Sequence, residues 1–325
     1  MHAWQFEKYG SYAEVLKWVE RPTPSIGERQ ALIKTVAVSL NFPDLLIVQG
    51  LYQNKAPLPA VPGVEAVGTV VEVGAGSKFK VGDRAVGFMH GGGTLADYFV
   101  ADNNCAWPLP EHVSDIQAAA LSVTYGTSYF GLKHRAQLRA GEVLLVLGAS
   151  GGVGSAAIQL GKVFGATVIA AAGSSEKLKI CRELGADYVI NYKQEDIIER
   201  VKALTDGRGA DVIYDPIGGD MFDQVKRCIN WEGRIVIIGF ASGRIPSIEC
   251  NRLLLKNMSV IGLAWGQYLA RDPAMGEACQ MELYELLAAG KIDPVIYRVL
   301  PFAETRDGLA LIEGREVYGK VVITR

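Results

Sequence analysis

The stretch Gly141–Lys162, GEVLLVLGASGGVGSAAIQLGK, constrains this chain more than any other. Val143 to Leu147 are five apolar residues in a row, the pattern of a strand buried on both faces of a parallel sheet. Four of the next seven residues are glycine (Gly148, Gly151, Gly152, Gly154), and from Ser155 to Val163 small and apolar residues recur at helical spacing. Strand, glycine turn and helix make the unit in which a dinucleotide pyrophosphate rests on a helix N-terminus. Gly151 and Gly152 then bring backbone against phosphate, and Gly154 lets the helix pack tightly on the strand. Against the pattern G-x-G-x-x-G, Ala149 replaces the first glycine while Gly151 and Gly154 match the others. Val143 to Gly161 is uncharged and long enough to span a bilayer, but its five glycines and three polar side chains argue for a nucleotide turn instead.

At 325 residues the chain has room for two domains. Thirty-three basic against 35 acidic residues leave a net charge of −2, which gives no pull toward nucleic acid or an anionic membrane. The five cysteines (Cys105, Cys181, Cys228, Cys250, Cys279) are scattered and form no CxxC pair, as in a reduced protein without a disulfide framework. The opening MHAWQFEKYGSY has no apolar run of the secretory kind, so a cytoplasmic protein is expected.

Residues 1–120 read as β-rich: Ala31–Leu40, Ala66–Val73, Arg84–Met89 and Ala96–Val100 are short apolar runs between glycine and proline turns, with one helical turn at Asp44–Gln49. A small, partly closed barrel or sandwich is expected there. From Glu142 strands and helices alternate. The strands are Val143–Leu147, Thr167–Ala171, Tyr188–Ile190, Asp211–Tyr214, Arg234–Ile238 and Ser259–Leu263; the helices include Glu176–Leu184, Asp196–Leu204, Met221–Ile229 and Ile248–Lys256. That alternation predicts a doubly wound parallel sheet of six strands. After Trp265 come a helix at Pro273–Ala289, a strand near Val295–Val299, a helix at Glu304–Glu313 and a strand at Lys320–Thr324. The simplest organisation is a catalytic domain of residues 1–122 and 266–325, with a dinucleotide domain of residues 123–265 inserted into it and the active site in the cleft between them.

The full spelling of Gly141–Lys162 resembles the quinone oxidoreductase signature of the medium-chain dehydrogenase/reductase superfamily, through Gly141-Glu142, Leu145, Ala149-Ser150-Gly151-Gly152, Gly154, Gln159 and Lys162. Pro62 to Gly68 resembles that superfamily's P-G-H-E-x-x-G segment, with Val64 where zinc alcohol dehydrogenases have a ligand histidine. Asn41-Phe42-Pro43-Asp44 resembles their C-x-x-D segment, with Asn41 at the ligand cysteine. No Cys or His stands between Val113 and Lys133, where a third ligand is expected, and Cys105 has no neighbours to build a structural-zinc lobe. His2, His90, His112 and His134 are far apart and show no ligand spacing. The resemblance implies an α/β protein, a Rossmann sheet inserted into a GroES-like β-rich catalytic domain, and no metal.

Without a Lewis acid an ordinary ketone is hard to reduce, because nothing stabilises the developing alkoxide. In a quinone or an α,β-unsaturated carbonyl the charge spreads through a conjugated system that a hydrogen bond can stabilise. The resemblance places Asn41 at the nicotinamide end, where its amide bonds the carboxamide or a substrate oxygen. Tyr52, in Gly50-Leu51-Tyr52, either gives the substrate a hydrogen bond or proton or walls the pocket. Asp44 and Glu65 read as structural anion partners. Thr127, Gly239, Phe240 and Leu263 are the implied nicotinamide-side contacts, and Ser150, Gly151, Gly152, Val153 and Gly154 the phosphate turn. Trp265 either lines the mouth or belongs to the core.

An NAD-binding strand normally ends in an acid that bonds the ribose 2′-OH. Here Thr167–Ala171 runs into Ala172-Gly173-Ser174-Ser175-Glu176-Lys177, with Gly173 at the acidic position. Ser174 and Lys177 resemble 2′-phosphate ligands and Tyr192 their ribose-side neighbour, which points to NADPH. The expected protein is a zinc-independent NADPH:quinone oxidoreductase or enone reductase that works as a homodimer. An enoyl-thioester reductase of the acryloyl-CoA type, or a non-catalytic NADPH-binding sensor or structural protein, are the alternatives.

Overall fold

The computed structural model describes residues 1–89 and 91–325, so that His90 lies outside the described residues. The chain divides into two compact units, Met1–Val123 with Gly266–Arg325, and Thr124–Trp265.

The first unit begins with β1 (His2–Gln5), α1 (Tyr12–Val15), β2 (Lys17–Glu20) and the long β3 (Gln30–Leu40). Then come α2 (Phe42–Gln49), β4 (Glu65–Val73), β5 (Arg84–Phe88), β6 (Tyr98–Asp102), β7 (Ala106–Pro108) and α3 (Asp115–Ala119). α2 is two turns long rather than the single turn the sequence suggests. Asn41 enters it extended, a proline lies in its first turn, and Gly50 closes it in the left-handed conformation at φ 70°. β6 starts two residues later than expected.

α4 (Ser122–Tyr129) leads into the second unit and continues as a π-helical segment, Phe130–Arg135, that apolar periodicity does not reveal. β8 (Val143–Leu147) and α5 (Gly152–Val163) follow, then β9 (Thr167–Ala172), α6 (Ser175–Glu183), β10 (Tyr188–Asn191) and α7 (Ile197–Leu204). β11 (Ala210–Asp215), α8 (Gly219–Val225), β12 (Ile229–Ile237), α9 (Cys250–Lys256) and β13 (Ser259–Gly262) complete the series. The strand order is β10-β9-β8-β11-β12-β13, and each neighbouring pair is parallel. This is the doubly wound dinucleotide order, with the first strand in the middle. Two expectations need correction. The helix predicted over Met221–Ile229 stops at Val225, and Ile229 already pairs with Ala210 in a β12 that runs past an irregularity near Glu232, where φ is +56°. The helix predicted from Ile248 starts at Cys250.

Gly154 is the fixed point of this unit. A Cβ on it would lie 2.4 Å from the Gly148 carbonyl oxygen and 2.7 Å from Ala149 Cα, so α5 approaches the end of β8 as only glycine permits. Leu145, Ile169, Ile213, Phe222 and Ile235 fill one face of the sheet. Each such side chain contributes about 1.5–3 kcal/mol by leaving water.

The returning segment carries α10 (Trp265–Arg271), α11 (Pro273–Ala288), β14 (Ile296–Pro301), α12 (Thr305–Glu313) and β15 (Lys320–Thr324). α10 is a helix the sequence reading passed over. β15 pairs antiparallel with Ala37–Leu40 of β3 and parallel with β14, so the last strand completes a sheet of order β14-β15-β3-β4-β5-β7. β3 has β4 along one edge; β15 and β6 share the other, β6 taking Gln30–Lys34. Trp4, Phe6, Ile33, Leu45, Phe99, Phe302 and Ile323 belong to its core, so the chain's two ends share one hydrophobic cluster. Among the described residues no helix is long and apolar enough to cross a membrane.

Candidate functional site

In the second unit the candidate cofactor residues gather at the C-terminal ends of the parallel strands, where an open α/β sheet binds its ligands. Ser150 to Gly154 follow β8, Gly173 and Ser174 follow β9, and Tyr192 follows β10. Gly239 and Phe240 come just after β12, and Leu263 just after β13. Ser150 and Gly154 are buried, whereas Gly151, Gly152 and Val153 are half-buried at the N-terminus of the twelve-residue α5. The unpaired N–H groups and positive end of that helix suit a pyrophosphate.

Thr127 is half-buried on α4. Its neighbour Ser128 donates to the Thr124 carbonyl at 2.8 Å, lies 3.0 Å from the Val153 carbonyl, and meets the Tyr214 hydroxyl at 2.8 Å. α4, β11 and the glycine turn are thereby held together by one buried hydroxyl, which the sequence reading did not single out. Leu263 lies against the π-helical segment, 3.2 Å from where a Cβ on Gly131 would stand. The Phe240 ring lies 3.0 Å from the corresponding point on Gly218. Asp215, fully buried at the end of β11, accepts N–H bonds from Ile217 and Gly218 at 2.8 and 2.9 Å and so shapes the turn beneath that ring. Trp265 is only 4% exposed, 5.2 Å from the Phe130 ring centroid and packed over Gly126. Of its two expected roles, the structure gives it the core one.

At the end of β9, Gly173 has the Tyr192 hydroxyl 2.9 Å from its would-be Cβ, so a side chain there would displace Tyr192. Ser174 is the N-cap of α6, its Oγ accepting the Lys177 backbone N–H at 3.3 Å. The hydroxyl proton stays available to a phosphate while Oγ caps the helix. Lys177 is half-buried in the first turn, and Glu176 is exposed. These residues fit a 2′-phosphorylated dinucleotide: a glycine cradle, a helix N-terminus, a hydroxyl and an ammonium, with no carboxylate closing the strand.

In the first unit the segments around Asn41 and Glu65 meet over a buried polar cluster. Lys320 Nζ, on a residue 4% exposed, donates to Glu65 Oε1 at 3.0 Å, to the Leu40 carbonyl at 3.1 Å, and to Asn41 Oδ1. Asn41 Nδ2 donates to Glu65 Oε1 at 2.9 Å and to the Ser39 carbonyl at 3.0 Å. Glu65 Oε2 accepts the Val123 N–H at 2.8 Å. Both amide hydrogens of Asn41 are therefore taken. As placed, it has no N–H for a carboxamide or substrate oxygen; only Oδ1, shared with Lys320, keeps a lone pair. Lys320 was missed in the sequence, where its one signal is an ammonium opening an otherwise apolar closing strand, Lys320–Thr324.

Asp44 is fully buried; its carboxylate accepts the Asn41 N–H at 2.7 Å and the Gly63 N–H at 3.1 Å. Burial pushes its carboxyl up to about 7; Glu65 adds to the rise, while the Asn41 and Gly63 N–H groups and Lys320 oppose it. Tyr52 is half-buried, and its phenol is raised above the ordinary value first by burial and then by Asp44. Among the described residues no three of His, Cys, Asp and Glu gather as a metal site would require.

Residues 152–281 match the family model described as zinc-binding dehydrogenase, and residues 27–111 match that of the alcohol dehydrogenase GroES-like domain. A quinone oxidoreductase-like protein 2 homolog from Nematostella vectensis is 42% identical, over 93% of this chain and 83% of that protein. Quinone oxidoreductase 1 of Escherichia coli K12 is 31% identical over 98% of both. The crystal structure of Escherichia coli quinone oxidoreductase complexed with NADPH superposes with a TM-score of 0.92 at 29% identity, covering the whole of each chain.

The raised carboxyl of Asp44 has a measurable consequence. Between its unfolded value near 3.8 and its folded value near 7 the folded state holds a proton that the unfolded state has lost. Lowering the pH through 7 therefore stabilises the fold at this group, and raising it withdraws that stabilisation. Asp44→Asn cannot titrate, so the stability advantage of the wild type over this variant should shrink as the pH rises from 5 through 7 and level off by pH 8 in urea denaturation. A constant difference across that range would show that Asp44 stays ionised.

Proposed function

Because the chain belongs to the quinone oxidoreductase family of the medium-chain dehydrogenase/reductase superfamily, we propose that it reduces quinones or α,β-unsaturated carbonyls without a catalytic metal. It is an oxidoreductase, and its cofactor is NADPH. When bound, NADPH supplies the hydride. The protein's residues bind and orient it: Gly151, Gly152 and the N-terminus of α5 for the pyrophosphate, Ser174 and Lys177 for the 2′-phosphate, with Tyr192 beside them. Tyr52 is the hydroxyl assigned to the acceptor oxygen, as hydrogen-bond donor or proton source.

The observation that carries the metal-free reading is the Lys320 cluster. At the position of the ligand cysteine stands an amide whose two hydrogens are both engaged, and an ammonium already answers the Glu65 carboxylate. Such a set has neither the thiolate nor the imidazole that zinc prefers. Without a Lewis acid, acceptors that spread the incoming charge through conjugation are favoured. The test is NADPH oxidation against a panel of quinones, enones and enoyl thioesters after chelator treatment. Turnover of a quinone or enone that survives the chelator is expected. Zinc at one per chain, with activity lost on its removal, would overturn the metal-free reading; no oxidation with any acceptor would favour a sensor or structural protein.

Preference for NADPH over NADH is assigned to Ser174 and Lys177. A hydrogen bond to a charged group is worth about 1.5–3 kcal/mol, or about tenfold or more in affinity. Lys177→Ala should raise the KM for NADPH about tenfold and leave that for NADH nearly unchanged. Equal losses with both cofactors would mean that Lys177 supports the fold rather than the phosphate.

A homodimer built on β13 belongs to the same proposal. That strand pairs with β12 alone, at the edge of the sheet. α9 before it has no buried residue, and Leu254 and Leu255 are 75% and 71% exposed. An edge strand with one neighbouring strand, beside exposed leucines, suits pairing with a second copy across a two-fold axis. Solution scattering should give twice the chain mass at micromolar concentration; a monomer mass there would refute the dimer.

A further inference from the structure

The first unit contains a cavity of about 420 Å³ that none of the roles above uses. It is lined by Arg21, by Asn54 to Pro57 of the loop after α2, by Pro59 to Val61, and by Gly91 to Gly93 and Tyr98 on the facing wall. Its size is that of a small-molecule site. Arg21 and Lys55 both line it, and no aspartate or glutamate does. Among the described residues neither cation is paired with a carboxylate: the Arg21 guanidinium donates only to Gln5 Oε1, at 3.3 Å, and the Lys55 ammonium lies 5.7 Å from the Tyr9 ring centroid. Neither cation has a carboxylate to answer its charge, so an anion bound in the cavity would meet two positive side chains and no negative one.

The loop that carries Lys55 is held in place. The Tyr9 hydroxyl donates to the Ala56 carbonyl at 2.8 Å, and the Tyr9 ring packs on Gly50 at the end of α2. Lys55 is thus presented by an anchored segment, which lowers the entropy lost when a ligand engages it. Among the described residues nothing lies within 4 Å of where a Cβ would stand on Gly91 or Gly93. Pro57, Pro59 and Tyr98 add apolar surface for an organic group next to the charge. Lys55 is three residue steps along the chain from Tyr52, so their Cα atoms are at most about 10 Å apart. A ligand whose charged end sits in the cavity can therefore have its other end near Tyr52.

We propose that this cavity binds the phosphate or diphosphate tail of an extended acceptor, with Arg21 as a bidentate partner, Lys55 as a point charge, and the acceptor's reactive end directed toward Tyr52. An arginine fork matches phosphate geometry, and the pair selects phosphate-bearing acceptors over neutral ones of the same reactivity. The reading rests on the oxidoreductase assignment for the meaning of "acceptor", but the site itself is testable without turnover.

The experiment is calorimetric titration of the protein with pyrophosphate, with coenzyme A and with pantetheine, each at saturating NADPH so that the phosphate-binding turn of the second unit is filled. Pyrophosphate and coenzyme A should bind and phosphate-free pantetheine should not. Coenzyme A binding more tightly than pyrophosphate marks a tail with its organic part; equal affinity marks a free phosphate site and overturns the extended-acceptor assignment. Arg21→Gln or Lys55→Gln should weaken coenzyme A about fivefold or more, as expected for losing a partly exposed charged contact. Lys177→Ala, in the other unit, serves as the control for displaced cofactor. No binding to the wild type, affinities unchanged in both first-unit variants, or a loss confined to Lys177→Ala would each overturn the proposal. Failure of every acceptor to oxidise NADPH would instead count against the oxidoreductase reading and leave these titrations unaffected.

Discussion

A buried ammonium must have its charge answered, and the first unit is arranged around that requirement. Lys320 reaches Glu65, Asn41 and the Leu40 carbonyl from the opening residue of the final strand. Removing one partner of such a pair leaves an uncompensated charge in a medium that cannot solvate it, which costs about 3–5 kcal/mol. Each neighbour therefore fixes another. Glu65 holds the Val123 N–H, Asn41 fixes the start of α2, and Asp44 on α2 ties down Gly63. The start of α2 is thus tied to the charge cluster through Asn41 and Asp44, while Leu45, Ile47 and Val48 bury its apolar side.

The second unit relies on a different constraint, the closeness of backbone to backbone. With Gly154 against Gly148, the first turn of α5 sits directly over the end of β8, and Ser128 joins α4 to the same turn. All the candidate phosphate contacts lie in the turns, or the first turns of helix, that follow three adjacent strands, β8, β9 and β10. Rigid strands set those turns, so few side chains are needed to present a nucleotide site.

What was legible in the sequence follows from these constraints. The buried parallel strands show as unbroken apolar runs, and the glycine spacing after β8 marks the phosphate turn, because both patterns are local. β15 was legible to the residue, for the same reason. The π-helical turn at Phe130–Arg135 was not, since one extra residue per turn changes no residue type. Neither was the extension of β12 to Ile229, where Asn230, Trp231 and Glu232 interrupt the apolar run while pairing with β11 resumes at Arg234. The cluster around Asn41 was half legible. A resemblance can place Asn41, Asp44 and Glu65 near one another, but Lys320 is 279 residues from Asn41, and no spacing rule connects them. Whether an amide is free or engaged is likewise a property of three-dimensional neighbours alone.

The pairing of β15 with β3 also imposes an order in time. Leu40 and Lys320, which meet through a carbonyl and an ammonium, are 280 residues apart. At synthesis rates of about 5–20 residues per second, roughly 15–60 s pass between the ribosome adding one and adding the other. The intervening strands and helices of the parallel sheet are all made in that interval, and their contacts are far shorter in sequence. The second unit has therefore been synthesised in full while Glu65 still lacks its ammonium and Ala37–Leu40 of β3 still lacks its partner strand. The first unit, although its first residues are made first, receives its closing strand only after every residue of the second unit has been made.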